Sequence, residues 1–186
     1  MIDKIIALLE ELLAYFKAQK EIIPCGKSDE PRHPDYRWEE TNNFSYRNGV
    51  KITGIVLHIM EGTYEGTISW FKNRDSRVSA HYCISKNGDL CMMVLPANKA
   101  WHAYGHNNNT IGIEIEGKGE DELTELQEKK LVELCTYLMH EYGIPAKNIT
   151  GHRFTAKNRG RTECPANLFG QRSEKALRDW VWRKLG

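Results

Sequence analysis

The sequence predicts an α/β (α+β) domain in which a central mixed β-sheet is flanked by helices. Three observations carry this. An apolar run ending at His58 reads as a buried strand, and an alternating run over 111–116 reads as a second. A capped, periodic segment from Thr124 reads as a long amphipathic helix. The chain has 186 residues. A domain typically takes about 100–200 residues, so this length fits one domain with room for a short extra segment.

The elements follow in chain order. Ile2, Ile5, Ile6, Leu9, Leu12, Leu13 and Phe16 recur at helical spacing and predict an amphipathic helix over 2–22, within an N-terminal segment 1–23. Its apolar face can dock on its own domain, serve self-association, or contact a wall or membrane. Asp3, Lys4, Glu10, Glu11, Lys17 and Lys20 interrupt it, so it reads as neither a signal peptide nor a membrane span. Residues 24–49 hold Pro24, Pro31 and Pro34 without a sustained period and read as a linker wrapping the domain that follows, 50–186.

Ile52–His58 is the first core strand. Residues 64–73 read as a helix with Ile68, Trp70 and Phe71 apolar and Thr63 as its cap. His81–Ser85 and Asp89–Leu95 read as strands joined by the Asn87-Gly88 hairpin signal. In Ile111-Gly112-Ile113-Glu114-Ile115-Glu116 the isoleucines face one side and the two glutamates the other, about 6.5–7 Å apart. Thr124-Glu125-Leu126-Gln127 is a capping box, and Leu131, Leu134, Cys135, Leu138, Met139 and Tyr142 form the stripe of the helix it opens. Gly143 and Pro145 end that helix. A last helix over 174–184 buries Leu177, Trp180 and Val181.

Composition narrows the function. A formal charge of +1 gives little pull toward nucleic acid or anionic membrane. The five cysteines are an odd number without a Cys-x-x-Cys pair, against a full disulfide framework or a structural zinc knuckle. Reduced thiols fit synthesis in a cytosol.

Hydrolytic zinc needs three protein ligands and one open position. His58 at a strand end, His152 after the long helix and Cys164 before Pro165 suit this by position. Each also has a plainer reading: a polar strand end, a loop histidine, a small buried thiol. They lie too far apart in the chain to form a compact zinc motif.

Val56-Leu57-His58, Ser79-Ala80-His81-Tyr82, Ala100-Trp101-His102-Ala103, Ile111–Gly117, Thr150-Gly151-His152 and Cys164-Pro165 occur in order. Together they resemble the type-2 N-acetylmuramoyl-L-alanine amidases, which include many phage endolysins and resemble the peptidoglycan recognition proteins. The resemblance spans roughly 52–169 and does not reach residues 1–24.

The resemblance implies an amidase-like fold over 50–186 and one Zn2+ held by His58, His152 and Cys164. It implies Glu114 as general base. Relatives that use a catalytic tyrosine carry it near His81; here that position matches Ala80, which leaves Tyr82, read as facing the same way, as a minor candidate. Many relatives have a lysine where Thr162 stands, so Thr162, or Arg159 or Arg161, takes the oxyanion role. His81, Trp101, His102 and Glu116 are the substrate-binding candidates, with Tyr104 and His106 near the same groove. Plainer readings are core packing for Trp101 and a solvent-facing place for Glu116; His33 and His140 read as surface residues. The implied partner is peptidoglycan or a muropeptide. The implied setting is a phage endolysin made in the cytoplasm and released to the wall by a holin. The alternatives are a cytoplasmic muropeptide-recycling amidase and a non-catalytic peptidoglycan-binding module. A zinc peptidase or deaminase of another type finds no His-Glu-x-x-His or His-x-Glu with Cys-x-x-Cys here.

Overall fold

A computed structural model describes residues 30–186 and, before them, Ile6, Leu9 and Glu10, which are helical. The helix expected over 2–22, the self-association drawn from it, and Cys25 lie largely outside the described residues. From Pro31 onward the chain forms one compact unit.

Eight strands and three α-helices build that unit. The strands are β1 Arg37–Trp38, β2 Phe44–Tyr46, β3 Gly54–Ile59, β4 Tyr82–Ile84, β5 Leu90–Met92, β6 Asn98–Ala100, β7 Thr110–Ile115 and β8 Ile149–Gly151. The helices are α1 Tyr64–Lys72, α2 Glu125–Tyr142 and α3 Glu174–Leu185. Six strands form one sheet in the order β1-β5-β4-β7-β3-β8, and β2 pairs with β6 in a second, two-stranded sheet. The large sheet is mixed: β3 runs parallel to β7 and β8, β4 runs parallel to β7, and β4 and β5 are antiparallel. The antiparallel pair is the predicted hairpin, with Gly88 in its turn at φ +80, a conformation that favours glycine.

Period-two alternation sends the two faces of β3 and β7 to different partners. Ile55, Leu57 and Ile59 join Ile111, Ile113 and Ile115 in the main core, against Leu131, Leu134 and Leu138 of α2 and Leu177, Trp180 and Val181 of α3. Full burial of such a side chain stabilises by about 1.5–3 kcal/mol. The opposite face carries Cys83 and Met93 against Tyr64, Ile68 and Phe71 of α1. Helices therefore cover both faces. His58 and Glu114 fall between the isoleucines and so point away from the main core.

The caps expected from the sequence are present. Thr63 accepts the Gly66 N–H at the start of α1, and Thr124 and Gln127 form a reciprocal capping box on α2. The segment read as a linker, 24–49, contributes more than wrapping. Its described part supplies β1 and β2, and Arg47 is only 4% exposed. The Arg47 guanidinium donates to the carbonyls of Pro96, Asn107, Asn108 and Thr110, and its Nη2 lies 2.8 Å from His81 Nε2. Burial draws its pKa down to about 10. This one side chain pins the 96–110 segment that leads into β7.

Candidate metal centre and active site

Three separate elements bring the donors together. His58 is the fifth residue of β3, His152 directly follows β8, and Cys164 lies on the loop beyond. Because β8 is parallel to β3, with Leu57 beside Gly151, both histidines emerge at the same sheet edge. The Cys164 thiol is fixed by the Ile59 N–H at 3.3 Å and lies 3.6 Å from His58 Nδ1. One donor atom from each of His58, His152 and Cys164 lies within 4.8 Å of the others.

Glu114 stands beside His58 in the parallel register of β3 and β7. Its Oε1 lies 3.9 Å from His58 Nδ1, and its Oε2 is buried without a hydrogen-bond partner among the described residues. A buried carboxylate with no donor favours its protonated form, and burial raises the Glu114 pKa to about 8. Burial, with His152 and His102 nearby, lowers His58 well below the usual imidazole range, so its ring is neutral. Burial and the Glu114 charge push the Cys164 thiol well up. A cation among these groups reverses the last effect, because a coordinating thiol loses its proton outright.

The three donors and Glu114 line a cleft of about 350 Å³ together with Thr162, Trp101 and His102. Trp70 of α1 lines it too and is 54% exposed. Trp101 is held by its ring N–H to Ser45 Oγ at 3.0 Å. Thr162 Oγ1 accepts the Cys164 N–H at 3.1 Å. A larger depression of about 470 Å³ lies between Arg37, Glu65 and Lys130, away from the donor cluster.

Several candidate residues lie elsewhere. Tyr82 does not face the way Ala80 does: it is fully buried in the main core, and its hydroxyl meets His33 Nε2 at 3.0 Å. The catalytic candidacy of Tyr82 therefore ends with its position. His33, read as a surface residue, packs against Tyr36, Tyr82 and Tyr137. His81 is also fully buried, and its Nδ1 accepts the Gly112 N–H at 2.9 Å, so it holds strands together and does not face a ligand. Glu116 accepts the backbone N–H groups of Tyr64 and Lys86, which ties α1 to the β4–β5 hairpin. Arg159 is turned to Glu174, and neither it nor Arg161 lines the cleft. His106 is half-buried, while Tyr104 is 68% exposed beside Lys157. Nothing local in the sequence marks Arg47, Trp70, Thr110 or Gly112 as a site residue, because their importance lies in contacts between distant segments.

Fold and cleft define a class: an α/β domain whose sheet edge presents a possible three-donor metal site beside a buried carboxylate. The chain belongs to the N-acetylmuramoyl-L-alanine amidase family, whose sequence model matches residues 48–167. N-acetylmuramoyl-L-alanine amidase A of Achromobacter lyticus is 43% identical over 86 residues, 45% of this chain and 49% of that protein. The 1,6-anhydro-N-acetylmuramyl-L-alanine amidase AmpD of Escherichia coli (strain K12) is 36% identical over 98 residues, 48% of this chain and 54% of that one. Among solved structures, the endolysin amidase LysCS from Clostridium intestinale URNW superposes with a TM-score of 0.60 at 27% identity, covering 74% of this chain and 90% of that one. The chain spans about half the length of the curated relatives it matches. Among the described residues, no helix is long and apolar enough to cross a membrane.

Proposed function

We propose that this chain is a zinc-dependent N-acetylmuramoyl-L-alanine amidase that hydrolyses the amide between N-acetylmuramic acid and L-alanine in peptidoglycan. One observation carries the reading: His58, His152 and Cys164 offer donor atoms within 4.8 Å of one another. Two imidazoles and a thiol suit zinc, and the orphaned Glu114 Oε2 suits a group that works on a proton. Bound there, Zn2+ supplies a Lewis acid and brings the pKa of its water to about 7.

The chain's own residues do the rest. Glu114 takes the proton of the attacking water and returns it to the leaving amine. Burial raises the Glu114 pKa and a bound cation lowers it, so the two act in opposite directions on a group that must both accept and release a proton. Thr162 has a hydroxyl at the cleft wall to donate to the developing oxyanion. Trp70 and Trp101 offer aromatic faces to a sugar or peptide.

The setting we favour is a phage endolysin, made in the cytoplasm and acting on the wall after release, in keeping with the likeness to the LysCS endolysin. The match to AmpD supports a second reading, a muropeptide-recycling amidase. Mass spectrometry of digested peptidoglycan tests the reaction. Free stem peptides with a new alanine N-terminus are expected, and new reducing sugar ends would overturn the assignment. Relative rates on intact wall and on soluble anhydro-muropeptide separate the two settings.

A further inference from the structure

We propose that His102 and Thr110 are positioning residues that hold His58 in the tautomer whose bare Nδ1 faces the donor cluster. The inference rests on the metal reading above and deepens it. It follows from counting protons along one chain of contacts.

A threonine hydroxyl has a single proton to donate. Thr110 gives it to the His106 carbonyl at 2.6 Å. Toward His102 Nε2, 3.3 Å away, Thr110 Oγ1 can therefore only accept. That places the proton of the neutral His102 ring on Nε2 and leaves its Nδ1 as a bare acceptor. His102 Nδ1 lies 3.1 Å from His58 Nε2. The shared proton then belongs to His58 Nε2, and His58 Nδ1 keeps its lone pair. That lone pair lies 3.6 Å from Cys164 Sγ and 3.9 Å from Glu114 Oε1, inside the candidate site. A metal takes the unprotonated nitrogen of a neutral imidazole, and the partner of the other nitrogen decides which one that is.

The surroundings fix this relay. A Cβ on Gly112 would meet His102 Cγ at 2.4 Å and Nδ1 at 2.7 Å, so the ring lies against bare backbone. Asn107 Oδ1 accepts the backbone N–H of His102 at 2.9 Å and holds the loop. Thr110 opens the strand that carries Glu114, so one element places both the relay's anchor and the carboxylate. Both ring nitrogens of His102 are engaged, which leaves neither for a substrate and changes the role expected of it from the sequence.

Two-bond 1H–15N spectra of the full chain, 15N-labelled at histidine and freed of metal, read the tautomers directly. His58 and His102 are both expected to carry the proton on Nε2. Zinc affinity by chelator competition supplies the second readout. Thr110→Val, which keeps shape and removes the hydroxyl, is expected to shift His58 toward a mixture of tautomers and weaken zinc by about 10–100-fold. Thr110→Ser is expected to restore both. A proton on His58 Nδ1 in the metal-free parent overturns the proposal, as does Thr110→Val with tautomer and affinity unchanged. Failure of the parent chain to bind zinc overturns the metal reading, while the metal-free spectrum decides the relay separately.

Discussion

Glu114 Oε1 lies 3.9 Å from Nδ1 of His58, across a parallel strand pair that places the two residues side by side. The register of β3 and β7 thus sets the distance between carboxylate and first donor, and no loop is free to alter it. If Glu114 moves the proton, Glu114→Gln keeps shape and loses only that capacity. Turnover is expected to fall by about 100- to 10,000-fold while zinc stoichiometry stays at one. Elemental analysis and release of stem peptides check both halves. Near-parental rates would remove Glu114 from the mechanism.

The same carboxylate gives the metal-free chain a pH signature. Folding raises the Glu114 pKa from 4.5 to about 8 by burial. Between those values the folded state holds a proton that the unfolded state has released. Stability from this group is therefore full below 4.5 and is lost as pH rises through about 8. Glu114→Gln has no such loss. Its stability relative to the parent is expected to climb across this window by up to about 1.4 kcal/mol per pH unit. Histidines that do not touch Glu114 titrate alike in both proteins and cancel in the difference. A difference in stability between the two proteins that stays constant from pH 4.5 to 8 would contradict a raised Glu114 pKa.

Much of this arrangement was legible in the sequence. Alternation in 111–116 separates the isoleucines from Glu114, and the capping box sets the start of α2 at Glu125. The order of short motifs supplies His58, His152 and Cys164, which spacing alone does not join. What stayed hidden depends on contacts between distant segments. Tyr82 fails because the chain turns at His81, so a two-residue step from Ala80 leads to the opposite core. Arg47 sits in a proline-containing stretch without periodicity, yet the carbonyls it serves begin at Pro96, forty-nine residues away. Glu116 looks like a second site carboxylate by alternation, but β7 ends at Ile115 and the residue beyond it turns to backbone donors.

Cys164 tests the donor set. Its thiol meets His58 Nδ1 and the Ile59 N–H, so Cys164→Ala removes one of three donors with little change in volume. Stoichiometric zinc is expected to be lost at micromolar metal, and activity with it. A Co2+-loaded parent should display a thiolate-to-metal charge-transfer band that the variant lacks. Retention of that band in Cys164→Ala would assign the sulfur elsewhere.

Arg47 tests how the site is built. Its guanidinium serves four backbone carbonyls on the 96–110 segment, the stretch that carries Trp101 and His102 and leads into Thr110. A lysine keeps the charge but offers three donors from one point, which cannot span carbonyls on several sides. Each buried carbonyl left without a donor costs about 1–3 kcal/mol. Arg47→Lys is therefore expected to destabilise the fold by at least about 2 kcal/mol, read as a lower urea midpoint at constant slope. It should also loosen the segment, with faster amide exchange over 98–110 than over α2. A variant that unfolds at the parental midpoint would mean that water satisfies these carbonyls, and the segment would then owe its position to the β2–β6 pairing.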